Sequence, residues 1–315
     1  MKIYKYIAPL LICLLMISCA KSPDIDNATM LDGDQIFDLS LTHPENYLMS
    51  ARYPTPTDEQ KNTPVIIAAH GYTATTFEWD ELRAFADSAH TFNVSQVLLG
   101  AHGRTYAEFK TATWKDWQSS ITDEYKKLND LGYKKIFLAG SSTGAPLIIN
   151  MIRSGYFKDL TLPKGIFLID PIIVSSNKLL TLVSVLGPIM GYTSVELSNG
   201  EKGKWYVYRP QETLKELMEL IDITRVDLET GLVLPKGTFM KVYKSKKDET
   251  ADPVSAVMIY KGITTYEKGK IEVSMENSGL HVFTRLKGRD GVTVADKALQ
   301  KKTFEEMEQK MIDAQ

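Results

Sequence analysis

The pentapeptide Gly140-Ser141-Ser142-Thr143-Gly144 sets a serine between two glycines in the spacing G-x-S-x-G, directly after the apolar run Lys135-Ile136-Phe137-Leu138-Ala139. A strand that ends in such a turn and continues as a helix holds a serine hydroxyl above the sheet, with glycines where side chains would obstruct the bend. The bare pattern carries little weight in a chain of 315 residues. Its position between a strand and a helix signal gives it meaning. Ser142 is the candidate nucleophile, and Ser141 is its neighbour.

A serine hydroxyl attacks a carbonyl only when a base takes its proton, so a histidine and an acid are required, here in the chain order Ser, Asp or Glu, His. Of the five histidines, His43, His70, His90 and His102 precede Ser142, which leaves His281 in Ser278-Gly279-Leu280-His281-Val282. The acid is expected after the strand Phe239–Tyr243, where Asp248 is the first carboxylate, with Glu249 and Asp252 as rivals. An acid in this role orients the imidazole and stabilises its protonated form. Ala68-Ala69-His70-Gly71-Tyr72 follows the first long strand. The backbone amides of Tyr72 and Thr143 are therefore expected to face a developing oxyanion, each contributing roughly a few kcal/mol. His70 reads as structural. Without H-E-x-x-H or paired-cysteine spacing, neither a catalytic metal nor a cofactor is expected.

The elements that must carry these residues show in the alternation of short apolar, β-branched runs with longer amphipathic ones. This predicts an α/β fold with a mostly parallel sheet flanked by helices. Strands are expected over Val65–Ala69, Val94–Leu99, Lys135–Ala139, Gly165–Ile169, Phe239–Tyr243 and Ile271–Met275. Helices are expected over Trp79–Ala89, Thr113–Asp130, Ala145–Arg153 and Asp296–Ile312, with Pro146 tolerated in a first turn. Gln35–Leu41 and Tyr47–Tyr53 alternate and predict a leading antiparallel pair.

Between Asp170 and Phe239 the alternation breaks. Here lie an apolar run, Leu179–Tyr192, interrupted by Gly187-Pro188, then a turn-rich segment near Asn199-Gly200 and an amphipathic helix, Glu212–Ile223. The run is short for a membrane span and carries a proline. Residues 171–235 read instead as an inserted helical cap over a core formed by 35–170 and 236–315.

At the N-terminus Lys2 and Lys5 precede an apolar run, Ile7–Ile17, in the pattern of an export signal over residues 1–18. The run ends in Ser18-Cys19, followed by the polar Ala20-Lys21-Ser22-Pro23-Asp24, and resembles a bacterial lipobox whose cysteine receives a diacylglycerol. An ordinary cleaved signal more often ends in A-x-A. Cys13 and Cys19 are the two cysteines; Cys13 would leave with the signal, and one thiol makes no disulfide framework. The expectation is an exported chain anchored to a bacterial membrane through Cys19, with a polar tether over 19–34. A formal net charge of −2 provides no basic footprint for nucleic acid.

These motifs together resemble the bacterial carboxylesterase and monoacylglycerol lipase branch of the α/β-hydrolases, from Thr63 to about Ile312. The resemblance rests on His70-Gly71-Tyr72, on Gly100-Ala101-His102-Gly103 with Trp114 and Trp117 downstream, on the serine turn, on Asp248 followed by Asp252-Pro253-Val254-Ser255-Ala256, and on Gly279-Leu280-His281-Val282. It implies the α/β-hydrolase fold, a small-molecule ester substrate and a triad of Ser142, Asp248 and His281. Ala145, Leu280 and Ala101 depart from the family pattern without removing a reacting group, and bear on pocket shape. A peptidase, thioesterase or acyltransferase uses the same triad, and a scaffold without turnover would be a binding lipoprotein.

Overall fold

The computed structural model describes residues 22–25, 43, 46–176 and 191–314. The expected export segment 1–18, Cys19, most of the expected tether 19–34, the strand expected at Gln35–Leu41 and most of the run Leu179–Tyr192 lie outside the described residues.

Two short helices, α1 (Met49–Arg52) and α2 (Asp58–Asn62), precede β1 (Val65–Ala69), α3 (Asp80–Ala89) and β2 (Asn93–Val97). Then come α4 (Tyr106–Thr111), α5 (Trp114–Asp130), β3 (Ile136–Ser141), α6 (Gly144–Arg153) and β4 (Gly165–Ile169). A ribbon of β5 (Tyr192–Ser194) and β6 (Tyr208–Pro210) leads into α7 (Gln211–Thr230). The chain closes with β7 (Leu232–Val233), β8 (Phe239–Ser245), α8 (Val254–Gly262), β9 (Ile263–Thr264), β10 (Glu272–Glu276) and α9 (Val294–Asp313).

Six strands form one parallel sheet in the order β10-β8-β4-β3-β1-β2. Its central strands are apolar at almost every position because both faces are covered, the usual condition of parallel sheets. Val65, Ile67 and Ala69 point to the layer of α5 and α6, while Ile66 and Ala68 point to Trp79, Leu82, Phe304 and Met307 on the side of α3 and α9. This alternation follows from the two-residue period of a strand. Among the described residues no helix is long and apolar enough to cross a membrane.

Three local expectations are corrected. Tyr47–Tyr53 does not form a strand but contains α1: the Met49 amide donates to Ser95 Oγ (3.0 Å), the Ser50 amide to Glu124 (3.1 Å), and Arg52 to the Val94 carbonyl (2.7 Å). Side chains satisfy donors that a neighbouring strand would otherwise take, so tertiary context overrides the period-two pattern. The helix expected to end at Ile223 runs on to Thr230, because nothing breaks it before Gly231, whose φ of 92° suits a glycine. Finally, the insertion is not helical throughout. Thr193 pairs with Arg209 in the antiparallel ribbon, and Tyr192 meets Tyr208 with ring centroids 5.2 Å apart, the cross-strand aromatic contact that stabilises such a pair.

Candidate active site

The strand order brings together residues far apart in sequence. β3, which ends at Ser141, lies between β1, which leads into His70-Gly71-Tyr72, and β4, which leads into Asp170. Beyond β4 comes β8, which leads into Asp248, and then the edge strand β10, which leads toward His281. Because all are parallel, their carboxyl ends share one edge of the sheet. There Ser142 Oγ stands 2.9 Å from His281 Nε2, and His281 Nδ1 stands 2.8 Å from Asp248 Oδ2. With Ser142 donating to Nε2, the ring holds its proton on Nδ1 and donates it to the carboxylate.

Ser142 occupies the left-handed region at φ 47°, unusual for a residue with a Cβ and characteristic of strained functional turns. The flanking glycines permit that bend. A Cβ on Gly140 would come within 2.6 Å of the Gly144 backbone, and one on Gly144 within 2.4 Å of the Ala69 carbonyl. The hydroxyl is thereby held at the head of α6, with Ser142 itself 6% exposed.

The three rival carboxylates separate cleanly. Glu249 is exposed, and Asp252 accepts from the Val254 amide (2.8 Å) at the head of α8. Asp248 alone turns inward to the histidine. Its Oδ1 accepts from the amides of Thr250 (2.8 Å) and Ala251 (3.1 Å), and its Oδ2 also receives the Lys244 ammonium. Burial is the largest influence on its pKa and raises it. The hydrogen bond and charge of His281, together with the Lys244 ammonium, outweigh burial and hold the carboxyl well below the usual carboxylate range.

Lys244 and Asp170 are participants the sequence reading missed. Both side chains are fully buried, and Lys244 Nζ bridges Asp248 and Asp170, the latter at 3.1 Å. Asp170 also accepts from the Ser245 amide (2.7 Å) and, across the sheet edge, from the Phe283 amide (3.2 Å) in the loop that carries His281. One carboxylate thus ties the acid loop to the histidine loop. Arg289, further along the histidine loop, donates to the carbonyls of His281 and Val282 and so holds that loop's own bend. The lysines of β8, Lys241 and Lys244, inside a strand that reads as a buried core element were the available signal, since a buried charge requires a partner.

On the β1 side of Ser142, Glu78 accepts from the Gly71 amide (2.8 Å) and from the hydroxyl of Ser141, joining the β1 loop to the serine turn. His70 and His102 act as braces. Leu99 donates its amide to His70 Nε2 (3.1 Å) and Thr73 donates to His102 Nε2 (3.2 Å), so each ring is neutral and carries its proton on Nδ1. The amides of Tyr72 and Thr143 have no acceptor among the described residues and sit in the wall of the same cavity as Ser142. Ala101, where the resembling family often has glycine, is held at φ 59°.

Burial lowers the His70 pKa to about 4, and burial with the nearby His70 ring pushes His102 well below its ordinary value. Between about pH 6.5, where an unfolded histidine titrates, and about pH 4, the unfolded chain binds a proton that folded His70 refuses. Stability therefore falls as pH falls through this window, by up to about 3 kcal/mol for His70, with His102 acting in the same direction. Urea unfolding at pH 7 and pH 4.5 should give a clearly lower midpoint at the acid pH. Equal midpoints would contradict the neutral-brace assignment.

The cavity over Ser142 encloses about 290 Å³. Ser142, His281, Tyr72 and Thr143 form its base, and Leu197, Trp205, Leu214 and Leu217 from the insertion form its apolar walls. Among the described residues no group of three or more His, Cys, Asp or Glu side chains is arranged to hold a metal ion.

No protein-family model matches the chain. It is 26% identical over 245 residues to a thermostable monoacylglycerol lipase of a Bacillus species, covering 75% of this chain and 92% of that one. It superposes on a structure of the metagenome-derived lipolytic enzymes LipS and LipT with a TM-score of 0.61 and 18% identity, over 79% of this chain and 94% of the other. On the monoacylglycerol lipase of Paleococcus ferrophilus the TM-score is 0.58 with 14% identity, over 79% and 96%. The fold is that of the α/β-hydrolases.

Proposed function

We propose that this chain is a serine hydrolase that cleaves carboxylic esters of short or medium acyl length, monoacylglycerols included, through an acyl-enzyme. The observation that carries the reading is the continuous hydrogen-bonded line from Ser142 through His281 to Asp248, with spacings of 2.9 and 2.8 Å. As Ser142 Oγ attacks the carbonyl carbon, its proton passes to His281 Nε2, and Asp248 stabilises the imidazolium that forms. The carbonyl oxygen becomes negative and is received by the amides of Tyr72 and Thr143. When the intermediate collapses, the alcohol leaves with the proton held by His281, and water then repeats the sequence on the acyl-serine.

The ester reading draws support from the likeness to the Bacillus monoacylglycerol lipase. Cavity size points the same way, since about 290 Å³ lies at the small end for ligand sites. Residues 171–235 serve as a cap in this reading, because ribbon and α7 side chains wall the cavity. The chain works outside the cytoplasm, tethered by a lipid at Cys19, a reading supported by Lys2, Lys5, the run Ile7–Ile17 and the Ser18-Cys19 boundary.

The test is a matched panel of acetyl to octanoyl esters, thioesters and anilides, run beside labelling with a fluorophosphonate probe. Probe attachment at Ser142 together with preferential turnover of the oxygen esters is expected. An unlabelled protein inert toward every ester would end the proposal.

A further inference from the structure

We infer that the ester cleaved here carries an anionic group, a carboxylate or a phosphate, which Arg209 receives inside the cavity that holds Ser142. The inference rests on the ester-hydrolase reading and narrows its substrate class.

The charged side chains lining the cavity sort by what they already hold. Arg285 is paired with Glu201 (2.7 Å) and lies 4.5 Å over the Trp205 ring. Arg289 donates to the backbone of the histidine loop. Glu78 is occupied by Gly71 and Ser141, Glu201 by Arg285 and Ser198, and Glu196 is exposed. Arg209 differs from all of these. It projects from β6 into the same cavity, and its guanidinium makes no hydrogen bond or ion pair with any described residue. Its Nε is shut off from solvent without an acceptor among the described residues, as are those of Arg285 and Arg289, whose terminal nitrogens are engaged.

Its neighbour Tyr72 does not neutralise it. The Tyr72 hydroxyl is engaged with Thr213 Oγ1 at 2.7 Å, and burial pushes the phenol pKa up, so it stays uncharged. A guanidinium remains charged at any ordinary pH. One that is largely withdrawn from water without a counter-charge is unfavourable unless something supplies an anion. The residue offers a planar fork of donors matched to carboxylate and phosphate oxygens. The remaining walls, Ile172, Leu197, Leu214 and Leu217, suit a carbon skeleton. A site with one end apolar, one end cationic and the nucleophile in the same wall fits a small ester with a charged terminus.

The experiment compares matched pairs on the full chain in detergent. Mono-p-nitrophenyl glutarate is set against its methyl ester, which places the carboxylate on the acyl side. Butyryl glycerophosphate is set against monobutyrylglycerol, which places a phosphate on the alcohol side. The expected result is a kcat/KM ratio of about tenfold or more in favour of the anion in at least one pair, as charge-assisted hydrogen bonds imply. The pair that shows it identifies the anion. In Arg209→Gln that ratio should collapse toward one, and Arg209→Lys should retain part of it, whereas a purely structural role would lower both members of a pair alike.

Wild-type ratios near one in both pairs, or a ratio unchanged by Arg209→Gln, would overturn the inference while leaving ester hydrolysis standing. Absence of turnover on all four compounds, with no fluorophosphonate labelling, would overturn the ester reading itself, and this inference with it.

Discussion

Replacing Ser142 by alanine is expected to lower kcat for ester hydrolysis by about a millionfold, to the residual rate provided by the cavity and the oxyanion donors. The expectation follows from geometry. Ser142 Oγ is the group that His281 Nε2 faces at 2.9 Å, and no other hydroxyl is paired with that nitrogen among the described residues. Alanine keeps the Cβ and makes the same demand on a backbone at φ 47°, and the glycines that allow the bend are untouched. The fold should therefore survive, with a melting temperature close to that of the parent. Steady-state kinetics, fluorophosphonate labelling and a thermal melt on the same preparation check this. A folded Ser142→Ala protein within tenfold of parental turnover would remove Ser142 from the mechanism.

Asp248→Asn should cost about 10⁴-fold in kcat, because the amide no longer favours the tautomer with the proton on Nδ1 and no longer stabilises the imidazolium. Here the loss should extend to stability. Asp248 takes four donors, His281, Lys244 and the amides of Thr250 and Ala251, and Lys244 is fully buried. Removing one carboxylate leaves that ammonium with Asp170 as its remaining counter-charge, so the cost stays below the about 3–5 kcal/mol of leaving a buried charge unpaired. A lowered melting temperature should accompany the kinetic defect.

The pH dependence has a definite sign. The folded pKa of Asp248 is depressed, so its contribution is fully present above its unfolded value of about 4 and is lost as pH falls through the lower folded value. Asp252→Asn is the matched control. Asp252 accepts from the Val254 amide at the head of α8, away from the histidine, and its replacement should leave kcat within a fewfold of the parent. Equal kinetic defects in the two variants would contradict the assignment of Asp248.

Ser142 was legible in the sequence because its conformation is a local property. Strand, bend and helix follow one another within 20 residues, and the glycines that prevent a clash are neighbours in sequence. His281 was legible by elimination. The acid was narrowed to three residues and no further, because side-chain direction in an irregular loop depends on what the loop packs against. Asp248 faces inward owing to Lys244 on β8 and the histidine loop beyond β10, neither of which periodicity reveals. The same limit explains Tyr47–Tyr53, whose alternation suits a half-buried strand but whose donors are claimed by Ser95 and Glu124.

The sequence by itself determined the six strands of the parallel sheet, the helices of the core and the turn that presents Ser142, since hydrophobic period and glycine placement act over a few residues. Tertiary structure decided which carboxylate meets the imidazole, that Lys244 and Asp170 support it, that Glu78 and two neutral histidines brace the loop after β1, and that Arg209 enters the cavity without a counter-charge among the described residues. These are contacts between segments separated by tens of residues, made when parallel strands bring their carboxyl ends to one edge. Their energies depend on burial and on the positions of opposite charges, which exist only once the chain has folded.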